Sequence, residues 1–103
     1  MGRNTGIKHK DDLYLGIHAR EWISPATVTY IMRDLVTNPR HNAMLNQYDF
    51  FILPVVNPDG YEYTHTTDRL WRKNRAGNPL TLGLCRGVDL NRNFGYKWAE
   101  DVI

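Results

Sequence analysis

FFILPVVNPDG, residues 50–60, is the stretch on which the fold turns. Phe50 to Val56 is a nearly unbroken apolar run, and Asn57-Pro58-Asp59-Gly60 closes it with a turn signal. A short run of this kind suits a strand buried on both faces. Upstream, Val28, Ile31, Met32, Leu35 and Val36 fall at i, i+3, i+4, i+7 and i+8, which is one apolar stripe of an amphipathic helix. Ser24 is placed to cap that helix, Pro25 suits its first position, and its end is expected near Asn38-Pro39. Farther upstream LYLGI, residues 13–17, is a β-leaning run that hands over to a charged cluster. Strand, helix, strand in this order reads as a βαβ unit, so the fold class is α/β: a parallel or mixed sheet with flanking helices. Chemistry in such sheets collects at strand exits and their loops.

Downstream, Tyr61 to Gly87 is irregular and rich in Arg, Lys, Asn and Gly, which reads as mainly loop. GVDLNRNF, residues 87–94, opens with an apolar pair that suits another short strand. No repeat or Ser/Gly linker divides the 103 residues, so residues 1–103 read as one unit, a single domain or part of one. Hydrophobic content of 42% and charged content of 23% argue against wholesale disorder. The net charge of +2 points strongly to neither nucleic acid nor membrane. No apolar run approaches the ~18 residues of a membrane span, and MGRNTGIKHKDD lacks the apolar stretch of a signal peptide. Cys85 is the one cysteine, either an ordinary thiol or half of a pair whose partner lies elsewhere.

Three clusters carry chemistry-bearing side chains. In GIHAREW, residues 16–22, His18 and Glu21 stand three apart, and imidazole nitrogen and carboxylate oxygen are both zinc ligands. Four histidines and three glutamates give roughly 0.12 such spacings by chance, so an exposed pair with no metal stays open. A catalytic zinc takes a third protein ligand; His65 is the local candidate, although nothing in its spacing favours it, while His9 and His41 lie in polar stretches. DRLWRKNR, residues 68–75, gathers Arg69, Arg72, Lys73 and Arg75 around Trp71, and three readings stay open: a solvated basic loop, a single-strand nucleic-acid grip, or an arginine aimed at a developing oxyanion. In DLNRNF, residues 89–94, Asn91 and Arg92 place an amide beside a guanidinium fork, which suits a carboxylate, against the alternative of an unpartnered loop arginine.

Taken together, GIHAREWISPAT, VVNPDGYEYTHTTDRLWRKNR and GVDLNRNF closely resemble, in order and spacing, the zinc metallocarboxypeptidases of the pancreatic carboxypeptidase A/B type. The resemblance runs from about Leu13 to Trp98. It implies an N-terminal part of a peptidase catalytic domain with a mixed sheet sandwiched by helices, and a Zn²⁺-dependent hydrolase acting on peptide or protein C-termini. It also implies roles. His18 and Glu21 match the first two zinc ligands, and Arg72 matches the arginine that steadies the tetrahedral intermediate. Arg20 and Arg69 match substrate-side arginines, and Asn91 and Arg92 match the pair that holds the terminal carboxylate. A secreted enzyme is implied as well, with no nucleic acid or membrane as partner.

In the family the third zinc-ligand histidine, the general-base glutamate and the mobile tyrosine lie beyond the match to Trp98, and AEDVI departs from the Gly-rich continuation expected there. The counterpart of Cys85 pairs with a cysteine farther along. The expectations are therefore an incomplete zinc shell, an inactive isolated chain, and uncovered apolar surface with poor solubility. Trp22, Trp71, Trp98 and most of Phe50–Val56 are assigned to packing. A non-catalytic fragment that captures peptide C-termini through Asn91 and Arg92 is the alternative.

Overall fold

The computed structural model describes residues 8–77 and 79–98. β1 (His9–Tyr14) and β2 (Tyr48–Leu53) pair in parallel, from His9 opposite Tyr48 to Tyr14 opposite Leu53. Parallel strands cannot be joined by a hairpin, and the crossover is made by α1 (Ile23–Thr37), a 3-10 turn and α2 (Asn42–Gln47). This is the expected α/β arrangement, a partial sheet with helices beside it. α1 ends at Asn38, as the Asn-Pro pair implies, because proline disfavours helical backbone in the residue before it. No helix among the described residues is long and apolar enough to cross a membrane.

The strand exits are what the site is built on. Past the last paired residues, Leu15 N–H donates to Leu53 O at 3.2 Å, and Val56 N–H donates to Leu15 O at 2.9 Å. Gly16 then turns the chain with φ +71°, and a Cβ there would meet Pro54 O at 3.0 Å and Val55 Cα at 3.1 Å. Only glycine reaches this backbone region without strain in so tight a space. The turn delivers residue 18 to the end of the sheet.

Several expectations change. Ser24 does not cap α1: the helix begins at Ile23, two residues before the expected start, and Ser24 Oγ instead accepts the Gly16 N–H at 3.0 Å, tying the helix start to the strand exit. Pro25 consequently sits at the third helical position, still within the first turn where backbone N–H groups lack helical partners. NPDG is not simply a turn that closes the apolar run before a loop but the start of α3 (Pro58–Thr66). Asn57 caps α3 by accepting the Gly60 N–H at 3.0 Å, with Pro58 at the first helical position. The segment at 87–94 forms a 3-10 turn, Leu90–Arg92, capped by Asp89, and no strand.

The core is thin. Ala19, Val28 and Leu35 are its buried apolar members among the described residues, whereas Phe51 and Leu53 stay about half exposed. β2 is thus not buried on both faces within this chain, and Trp98, 61% exposed, does not pack as expected. Ile31, Met32 and Val36 on α1 are also exposed.

Candidate active site

His18 is buried just beyond the β1 exit. Glu21 N–H donates to His18 O at 3.2 Å and Ser24 N–H to Glu21 O at 3.0 Å, a tight turn that puts side chains three apart on one side. His18 Nδ1 consequently lies 3.0 Å from Glu21 Oε1. The other ring nitrogen, Nε2, is buried with no hydrogen-bond partner and sits 3.5 Å from Asp89 Oδ1.

Arg72 joins this pair from the loop after α3. Its backbone carbonyl accepts the Ala19 N–H at 3.0 Å, which fixes the two segments side by side. Its guanidinium donates Nε–H to Asp89 Oδ2 at 2.7 Å and places Nη1 3.8 Å from Glu21 Oε1. Burial pushes the Asp89 carboxyl up, but the hydrogen bonds from Arg72 and the Asn91 backbone, with the charges of Arg72 and His18, override it and hold the group below the ordinary carboxylate range.

The remaining candidates have different settings. Arg69 is committed to structure: its guanidinium lies over the Trp22 ring at 3.7 Å and donates to Arg20 O at 2.9 Å. Trp22 donates Nε1–H to Thr64 Oγ1 at 2.8 Å, and the His65 ring stacks on it at 4.2 Å. His65 therefore serves the indole, and it forms no three-ligand group with His18 and Glu21. His41 is likewise engaged, with Asp34 at 2.6 Å, and His9 stands beside Tyr48. Arg75 lies over Tyr63 at 3.7 Å and over Trp71 at 4.7 Å, so faces of these rings are already occupied by cations. Arg20 is exposed, as are Asn91 and Arg92 in the 3-10 turn that Asp89 caps. The Arg92 guanidinium donates to Asn91 O at 3.0 Å.

Zinc chemistry can be tested against this donor set. An imidazole nitrogen and a carboxylate oxygen converge, which fits two zinc ligands. Ligation through Nδ1 requires the proton on Nε2, where the orphaned nitrogen faces Asp89, the kind of carboxylate partner that commonly orients a metal-bound histidine. No group of three His, Cys, Asp or Glu side chains suited to one ion occurs among the described residues. The fit is to part of a site. Residue-by-residue reading missed Asp89 and Asn57; the signal available for both was an Asx residue just before a helical turn.

The family model for zinc carboxypeptidases matches residues 13–102. The chain belongs to the zinc carboxypeptidase family. It is 55% identical over 86 residues to a zinc carboxypeptidase of Simulium vittatum, covering 82% of this chain and 28% of that protein. It is 52% identical over 91 residues to an inactive metallocarboxypeptidase of Paracoccidioides brasiliensis, covering 84% of this chain and 15% of the relative. The crystal structure of the carboxypeptidase A from Helicoverpa armigera superposes with a TM-score of 0.82 at 44% identity, over 88% of this chain and 22% of that one. The chain thus spans less than a third of the length of each of these relatives. Likeness over this region is shared by a zinc carboxypeptidase and by a relative named inactive, so it does not by itself decide turnover.

Proposed function

We propose that this chain supplies one wall of the active site of a metallocarboxypeptidase that hydrolyses the last peptide bond of peptides and proteins. The observation that carries the reading is the convergence of His18 Nδ1 and Glu21 Oε1, 3.0 Å apart, with the Arg72 guanidinium reaching the same carboxylate oxygen at 3.8 Å. His18 and Glu21 would hold Zn²⁺ together with a third ligand from outside the described residues. When bound, the metal supplies Lewis acidity toward the scissile carbonyl.

The remaining roles fall to this chain's own side chains. Arg72 is a fixed positive charge held at the rim of the site by Asp89, placed to stabilise charge that develops on the carbonyl oxygen. Asn91 and Arg92 are exposed donors that bind the substrate's terminal carboxylate, since a guanidinium fork matches a carboxylate bidentately. Arg20 and Arg69 border the substrate, with Arg69 acting also as the brace over Trp22. That clamp restricts cleavage to the chain end. An extracellular setting belongs to the same reading and rests on family resemblance alone.

On this reading the 103-residue chain by itself is inactive, because among the described residues no third His, Cys, Asp or Glu joins His18 and Glu21 to complete a zinc shell. The test compares the pure chain with the full-length protein carrying it, both with added zinc, on a blocked dipeptide and its C-terminally amidated twin. Turnover by the full-length protein, strong preference for the free carboxylate, and none by the 103-residue chain are expected. Clear zinc-dependent turnover by the short chain would overturn its inactivity, and equal cleavage of the amide would overturn the clamp.

The relative named inactive gives a second reading some footing: a non-catalytic segment that binds peptide C-termini through Asn91 and Arg92. It predicts carboxylate-dependent peptide binding with no hydrolysis in the full-length protein.

A further inference from the structure

We infer that Asn57 is a positioning residue for this site, and that its buried carboxamide sets the separation between the His18 segment and the Arg72 segment. The inference rests on the carboxypeptidase reading above and goes beyond it. Asn57 is 2% exposed. Its Nδ2 donates to Ile17 O at 3.2 Å and to Lys73 O at 3.0 Å. Ile17 immediately precedes His18, and Lys73 immediately follows Arg72. Both protons of one amide are therefore spent on the two residues that flank the candidate metal ligand and the candidate oxyanion arginine.

The rest of the residue is anchored just as fully. Oδ1 accepts the Gly60 N–H at 3.0 Å, the backbone N–H donates to Gly16 O at 3.1 Å, and the backbone carbonyl accepts the Tyr61 N–H at 3.0 Å. Only one orientation of the carboxamide satisfies two carbonyls and one N–H, so its direction is set by its partners. β1's exit, the start of α3 and the Arg72 loop meet at this one side chain. The space is closed to anything larger: a Cβ at Gly60 would lie 2.5 Å from both Asn57 Nδ2 and Lys73 O. A residue whose task was only to cap α3 would need Oδ1 alone; the two Nδ2 bonds across the chain have no part in capping.

Catalytic geometry depends steeply on such spacing, since a displacement of about 1 Å remote from the chemistry can lower rate about 100-fold. Two substitutions perturb the spacing in different ways. Asn57→Asp keeps the shape and the acceptor for Gly60 but removes both cross-chain donors. Gly60→Ala keeps Asn57 and wedges its amide away from Lys73. Neither touches His18, Glu21, Arg72 or the Asn91–Arg92 turn.

The experiment uses the full-length protein carrying this chain, with zinc for kinetics on a blocked dipeptide and with Co²⁺ in its place for the visible absorption spectrum. Melting curves establish that each variant is folded at the assay temperature. The expected result is kcat lowered about 100-fold with KM nearly unchanged, and a shifted cobalt spectrum, in both variants. Should one variant fail to fold, the other decides, and failure of both to fold overturns a positioning role in favour of a purely structural one. Folded variants with unchanged kcat and cobalt spectrum overturn the inference while leaving the carboxypeptidase reading intact. An unsubstituted protein that neither takes up cobalt nor hydrolyses the peptide overturns that reading, and this inference with it.

Discussion

Arg72 donates its Nε–H to Asp89 Oδ2 at 2.7 Å, while the other oxygen of the same carboxylate stands 3.5 Å from His18 Nε2. One side chain thereby faces both the imidazole proposed to bind metal and the arginine proposed to stabilise charge. Its carboxyl is held ionised against the opposing push of burial by the Arg72 and Asn91 hydrogen bonds. Replacing it with the neutral isostere, Asp89→Asn, should weaken zinc binding by the full-length protein about 10–100-fold, as loss of a carboxylate behind a metal-bound histidine typically does. Chelator competition measures this. An unchanged zinc affinity would show that the facing carboxylate is incidental.

Arg72→Lys keeps the charge but loses the planar fork that spans Asp89 and Glu21. The expected outcome is kcat lowered about 100- to 1000-fold, near 2.7–4 kcal/mol of transition-state stabilisation, with KM little altered. Steady-state kinetics on the blocked dipeptide read it directly. A kcat within about threefold of the unsubstituted protein would remove Arg72 from the charge-stabilising role.

A second carboxylate gives a pH prediction away from the site. Hydrogen bonds from His41 and Asn38 lower the Asp34 carboxyl below its ordinary value, overriding the opposing push of burial, with the charges of His41 and Arg40 adding less. A depressed folded value means that the stabilisation is fully present above the unfolded value of about 3.9 and is lost as pH falls through the lower folded value. In the full-length protein carrying this chain, Asp34→Asn should therefore reduce the melting temperature above about pH 5 and make little difference at about pH 2. Parallel melting curves that keep a constant offset across that range would contradict the assignment.

The exposed apolar surface carries the last prediction. Phe51 and Leu53 on β2, with Ile31, Met32 and Val36 on α1, remain exposed, and Met32 and Val36 border a groove of about 730 Å³ between α1, α2 and β2. Uncovered apolar patches and open strand edges favour self-association. The 103-residue chain made alone should bind a hydrophobic dye, aggregate at micromolar concentration and unfold without a sharp transition. A monodisperse species with a cooperative melt would count against this picture of the core.

Much of the architecture was legible because local spacing sets it. The apolar stripe on Val28 and Leu35 marks α1, and Asn38-Pro39 marks its end. The apolar run at Phe50 gives β2, although the strand stops at Leu53, before Pro54, whose missing N–H suits no continuing ladder. α3 is not legible from the motif alone, because Asn-Pro-Asp-Gly serves equally as a turn and as a helix start; the choice falls to helix when Asn57 is buried and its Oδ1 meets the Gly60 N–H. Trp98 stays exposed against the sequence expectation because hydrophobicity marks surface suited to being covered, and not what covers it.

The sequence by itself determined the family, the α/β class and the residue types available for chemistry, since motif order and the periods of helix and strand are properties of the chain's linear pattern. Only the tertiary structure decided which groups meet. Asp89 comes to His18 across 71 residues, and Asn57 ties Ile17 to Lys73, through contacts between segments far apart in sequence. Such pairings arise from the parallel crossover and the turn at Gly16, and no local spacing encodes them.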